Sequence, residues 1–109
     1  MEMHGIPFGV TDWSQVPGTV VQGETGTATW RSLEFGAIQV HMAEYSPGYR
    51  AADWCTKGHI LLCLEGELHT ELQDGRSFDL VPGISYQVAD HTGAHRSSTR
   101  TGARLFLVD

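Results

Sequence analysis

The chain has no apolar run approaching the roughly 18 residues that a membrane-spanning helix requires. It is also short of positive charge: 7 Lys and Arg stand against 13 Asp and Glu, for a formal charge of −6. The few basic residues are scattered, so there is no clustered patch for a phosphate backbone or an anionic bilayer. Neither nucleic acid nor membrane is an expected partner.

Cysteine is scarce, with only Cys55 and Cys63. On one shared strand, at about 3.3 Å per residue, they would lie about 26 Å apart and beyond disulfide reach. The start, Met1-Glu2-Met3-His4-Gly5, has neither the basic nor the apolar segment of a secretory signal. Unpaired thiols and no export signal point to a reducing cytoplasm. A length of 109 residues suits one domain and is too short for a (β/α)₈ barrel.

Uninterrupted stretches are lacking too. The 13 Gly and 4 Pro leave Ala37 to Ser46, ten residues, as the longest segment free of both. An average helix needs about 11–12 residues and tolerates neither residue well in its interior. Short strands separated by turns remain, the pattern of an all-β sandwich or barrel. Strands are expected at Thr27 to Leu33, Ile38 to Met42, His59 to Leu64, Glu67 to Leu72, Ser77 to Val81, Ile84 to Ala89 and Ala103 to Val108. Ile38 to Met42 and Glu67 to Leu72 alternate apolar with polar, as half-buried strands do. His59 to Leu64 is almost continuously apolar, which suits burial on both faces. Up to about Gly26 no strand pattern is clear, and Trp13 to Pro17 reads as a turn or one helical turn.

Asp74-Gly75 marks a hairpin. A two-residue loop there would set the apolar residues of the two arms on opposite faces. A three-residue loop, Gln73-Asp74-Gly75, pairs Leu68 with Leu80 and Thr70 with Phe78, with Gly75 in the left-handed position. This second register is the expectation.

What the chain does have is histidine, 6 of them against 7 Lys and Arg. Asp53, Cys55 and His59 are all odd-numbered, and an unbroken strand would project them to one face. Carboxylate, thiolate and imidazole are the usual ligands of zinc and related metals. A histidine from a neighbouring strand, His95 first and His91 second, would complete four. The same residues also suit plainer roles: Cys55 a small buried residue, His59 a hydrogen-bonded core histidine, Asp53 a turn cap. His41 and His69 lie on polar strand faces, which line a cavity if the sheet closes on that side. Tyr45, Tyr49, Trp54 and Tyr86 are the aromatic candidates for a pocket wall. His4 reads as terminal and Cys63 as core.

Two stretches carry a resemblance. The first runs Ser46-Pro47-Gly48, Asp53-Trp54-Cys55, His59 and Cys63-Leu64-Glu65-Gly66-Glu67. The second runs Leu80-Val81-Pro82-Gly83 and then His95-Arg96. They resemble the two motifs of the cupins, small double-stranded β-helix or jelly-roll barrels. Counted back from Gly66, Asp53 and Cys55 fall where the first motif has its two histidines, and His59 where it has its glutamate. His95 falls on the ligand histidine of the second. With Glu44-Tyr45-Ser46-Pro47-Gly48-Tyr49, Lys57-Gly58-His59-Ile60 and Ser85-Tyr86-Gln87-Val88-Ala89-Asp90, the chain is similar to bacterial cupins of the DHCW-motif group. That group's motif begins Asp-His; here Ala52-Asp53 stands in its place.

The resemblance implies an N-terminal arm or first strand over residues 1–22 and one cupin barrel over 23–109. It implies one divalent ion, Zn, Fe, Cu, Ni or Mn, held by Asp53, Cys55, His59 and His95. It also implies a small-molecule ligand and a homodimer. Three functions follow: a metal-dependent cupin enzyme, a non-catalytic metabolite- or metal-binding module, and a metal-free cyclase or isomerase using pocket histidine as acid–base. The fold does not choose among them.

Overall fold

The computed structural model describes residues 3–109; the first two residues of the expected arm lie outside that range. A 3-10 turn at Trp13–Gln15 is capped by Asp12, whose side chain accepts the Ser14 N–H. Nine strands follow: β1 Thr19–Gln22, β2 Thr27–Phe35, β3 Ile38–Tyr45, β4 His59–Gly66, β5 Leu68–Leu72, β6 Ser77–Leu80, β7 Ser85–Val88, β8 His95–Ser98 and β9 Ala103–Val108. Their order is β1-β2-β3-β9-β4-β7 in one sheet and β6-β5-β8 in the other. All pairings are antiparallel. The two sheets face each other as a jelly-roll barrel, the expected all-β class.

Alternation decides which side chains enter the barrel. On β9, Ala103, Leu105 and Leu107 are buried while Arg104, Phe106 and Val108 face away. On β3, Ala43 and Tyr45 meet Leu105 and Ala103 in register. Leu61 and Cys63 on β4 complete that side, and Leu68 and Leu80 close the core from the smaller sheet. The hairpin has the expected register: Leu68 pairs with Leu80 and Thr70 with Phe78. Gly75 takes a positive φ of 101°, and its N–H reaches the Leu72 carbonyl.

Two expectations are corrected. β4 is covered on one face only: Ile60 is 51 % and Leu64 36 % exposed, because β4 and β9 turn the same side of the sheet outward. Nor do Asp53, Cys55 and His59 share a strand. Ala52 and Asp53 form a bend, Cys55 makes a single bridge, and β4 begins only at His59. The reason is Gly58, packed so closely on residues 88–90 that an added Cβ would lie 2.6 Å from the Asp90 nitrogen. The Gly58 N–H donates to the Asp90 carboxylate at 2.7 Å, turning the chain into β4.

Candidate metal centre

Cys55 reaches the barrel by pairing with β8 rather than by extending β4. Its N–H donates to the His95 carbonyl at 2.7 Å, and the His95 N–H returns to the Cys55 carbonyl at 3.0 Å. His95 opens β8, and His59 opens β4 on the opposite wall. The ligand-capable atoms of Cys55, His59 and His95 all lie within 4.8 Å of one another. The two imidazoles stand edge to face, 4.9 Å between centroids.

The hydrogen bonds define which nitrogen each ring offers. His95 Nδ1 lies 2.8 Å from the Gly93 carbonyl, which can only accept, so Nδ1 carries the proton. Nε2 is the ring's other nitrogen, buried and without a hydrogen-bond partner among the described residues. That is how a protein prepares histidine for a metal. His59 Nε2 lies 2.8 Å from the Tyr86 hydroxyl, leaving Nδ1 as its second nitrogen. Burial, with His95 beside it, lowers the His59 pKa to about 4. The ring is therefore neutral at physiological pH. Burial also raises Tyr86, which stays a phenol.

A thiol and two imidazoles, one with a buried unpartnered nitrogen, fit a borderline-soft divalent ion with an open coordination position. Asp53 is exposed and lines the same cavity, of about 180 Å³, but stands outside the three-residue group. Tyr45, Tyr49 and Tyr86 line that cavity as well. Tyr45 and Tyr49 stack at 4.4 Å on its wall.

The remaining candidates are placed elsewhere. Trp54 lies under the Arg96 guanidinium, 4.5 Å from its ring centre, and Arg96 is held by Glu71. His41 is on the inner face of β3, 2.6 Å from Ser32 Oγ and 3.3 Å from Asp109. His69 pairs with Asp79 at 2.7 Å on the outer face of the smaller sheet. His91 is exposed with φ 61°, and its N–H braces the Thr56 carbonyl. No motif in the sequence marks a second cavity, of about 410 Å³, whose wall includes Thr70, Phe78 and Val88. The parity of Thr70 with Leu68 and Leu72 is the one signal that points to it.

The depressed His59 pKa has a measurable consequence in metal-free protein. Between pH 6.5 and 4 the unfolded chain binds a proton that the folded chain refuses, so stability falls as pH falls through that window. The slope is bounded by about 1.4 kcal/mol per pH unit and is smaller here because water reaches part of the ring. Urea denaturation in the presence of a chelator should show wild type losing more stability from pH 6.5 to 4 than His59→Phe. Parallel losses would show that His59 is not held neutral by the fold.

No protein-family model and no curated protein matches this chain. Solved structures do. An ectoine synthase from P. lautus superposes with a TM-score of 0.77 at 17 % identity, over 93 % of this chain and 76 % of that one. An RmlC-like cupin from Shewanella frigidimarina gives 0.76 at 18 %, over 94 % and 90 %. A polyketide cyclase from Streptomyces resistomycificus gives 0.76 at 20 %, over 94 % and 78 %. At such identities the likeness concerns the fold, and the fold is that of the cupins.

Proposed function

We propose that this cupin barrel is a metal-dependent enzyme acting on a small molecule. One divalent ion, Zn, Fe, Cu, Ni or Mn, is bound by Cys55, His59 and His95, while Asp53, exposed on the bend that lines the same cavity, stands outside these three donors. The reading follows the resemblance to DHCW-motif cupins. The observation that carries it is His95 Nε2: a buried nitrogen with its proton fixed on the other side of the ring and no partner among the described residues. Leaving such a group unpaired costs about 1–3 kcal/mol. An ion against Cys55 and His59 removes that cost.

The bound ion would supply Lewis acidity or a water of lowered pKa. The chain's own residues do the rest. Gly93 fixes the His95 tautomer. Tyr86 fixes the His59 ring, and partners of this kind tune metal affinity by about 10–100-fold. Arg96, stacked on Trp54 and bonded to Glu71, stands at the cavity wall.

Metal-free acid–base chemistry is the weaker alternative, because a histidine with a pKa near 4 is a poor base at neutral pH. A non-catalytic binding module shares the site and differs in having no turnover. We place the protein in the cytoplasm, as a homodimer joined through sheet edges β1 and β7 or the exposed Ile60 face. Native mass spectrometry of untagged protein reads both parts. About one metal per chain and a dimer mass are expected. Less than about a tenth of an equivalent, with no uptake of added Zn, Fe, Cu, Ni or Mn, would exclude the metal reading. Asp53→His, which restores the motif residue, should tighten binding.

A further inference from the structure

We infer that Ser32, His41 and Asp109 form a second reactive centre, in which the Ser32 hydroxyl takes the acyl group of aryl esters and thioesters. The inference is independent of the metal reading, since none of the three belongs to the Cys55, His59 and His95 group.

The register of the larger sheet brings them together. Ser32 on β2 pairs directly with His41 on β3, and His41 with Leu107 on β9. Side chains directly opposite on one face stand about 4.5–5.5 Å apart at Cβ, close enough for a hydroxyl and an imidazole to touch. Asp109 follows Leu107 by two residues and so shares that face, and its N–H and carbonyl both bond Gln39. Ser32 Oγ lies 2.6 Å from His41 Nδ1, and Asp109 Oδ2 lies 3.3 Å from His41 Nε2. Lys57 Nζ, 3.4 Å from Asp109 Oδ1, holds the carboxylate from its other side. Trp30 stands edge to face with the His41 ring.

The order of the contacts is that of an activated nucleophile. A carboxylate can only accept, so His41 turns its Nε2–H toward Asp109. In the neutral ring, Nδ1 then accepts the Ser32 O–H. The His41 and Asp109 side chains are 11 % and 9 % exposed, whereas Ser32 is open to solvent. The reactive oxygen is thus outermost, with base and carboxylate shielded behind it. Such a triad is recognised by geometry and roles, whatever the chain order.

The chemistry balances with water as the only co-reactant. Ser32 Oγ attacks the carbonyl carbon while its proton passes to His41 Nδ1. The bond to the leaving oxygen or sulfur breaks, and the leaving group takes that proton. Water, giving a proton to His41, then cleaves the acyl-serine; the acid departs and Ser32 regains its O–H. Nucleophile and base suffice for a good leaving group, whereas an amide also needs a formed oxyanion hole. Trp30, two residues before Ser32 on the same face and half-buried, offers an apolar surface to the acyl or aryl group.

The test is labelling with a fluorophosphonate, read by peptide mapping, with a chelator present so that no metal-bound water contributes. The Ser32 Oγ–P bond forms, the P–F bond breaks, and the proton passes through His41 to water. Wild type should be labelled at Ser32, and not after unfolding in urea. His41→Gln should react at least about a hundredfold more slowly. Asp109 is a positioning residue: with p-nitrophenyl acetate, Asp109→Asn should lower kcat about tenfold or more and leave KM unchanged. Ser32→Ala should keep the wild-type melting temperature and lose the label. The wild-type adduct decides even where another variant folds poorly. No adduct at Ser32, label spread evenly over the serines, or equal rates in wild type and folded His41→Gln would each overturn the inference.

Discussion

Replacing His95 by alanine is expected to lower zinc affinity more than about a hundredfold. The substitution removes one of three neighbouring donors, and the one whose free nitrogen is already fixed by the Gly93 carbonyl. Cys55 and His59 would remain, but two protein ligands leave an ion half-solvated and weakly held. Zinc added at 100 times its Kd should stabilise wild type by about 2.7 kcal/mol, and this increment should vanish in His95→Ala. Competition against a chromophoric chelator measures the affinity, and thermal melts with and without zinc measure the increment. The metal-free variant should stay folded, because the side chain lost borders two existing cavities rather than the Leu61, Leu68 and Leu105 core. Unchanged affinity in a folded variant would remove His95 from the ligand set.

The reach of the sequence can be judged from particular strands. β9 and the β5–β6 hairpin are legible because their inner residues are apolar and alternate, and because a glycine can take the left-handed position in the loop. β8 carries no strand pattern. Its inner positions, His95 and Ser97, are buried but polar, so the period that marks a strand is missing. That absence fits a working site: the strand that faces it exchanges apolar side chains for chemically useful ones. β1 is hidden for the opposite reason, since Thr19–Gln22 is exposed throughout and shows no contrast.

The candidate site shows the same division. Parity on an assumed strand links Asp53, Cys55 and His59. The fold instead unites Cys55 with His95 by a backbone bridge alongside β8 and brings His59 to them from another wall. A bridge between residues 55 and 95 leaves no local trace in sequence. The cupin motifs point to His95 because they encode the fold's long-range geometry. Asp53 depends on the strand that Gly58 interrupts, and its exposed bend leaves it outside the three-donor group.

Substituting Gly66 by alanine should destabilise the fold by about 3 kcal/mol or more, a fall in Tm of roughly 15 °C or more for a domain of this size. The chain leaves the larger sheet at the end of β4 and enters the smaller one at β5, and Gly66 is the hinge point of that crossing. Its φ is +76°, and an added Cβ would collide with the Gly102 carbonyl oxygen. That oxygen accepts the Glu67 N–H at 3.2 Å, and the Gly102 N–H donates to Thr99 Oγ1 at 3.1 Å. The obstacle is thus hydrogen-bonded backbone, which cannot swing aside as a long side chain would. Gly75→Ala separates the two costs. Gly75 also has positive φ, but a methyl group there would meet nothing within 4 Å, so only the conformational penalty of about 1 kcal/mol applies. Urea denaturation should show Gly66→Ala losing at least about twice what Gly75→Ala loses. Equal losses would mean that the corner yields, and that the separation of the two sheets is not set there. A rigid corner matters to the site because β4 carries His59 and β5 carries Thr70. The angle at which the chain passes between them sets the width of the space that the metal centre and the larger cavity share.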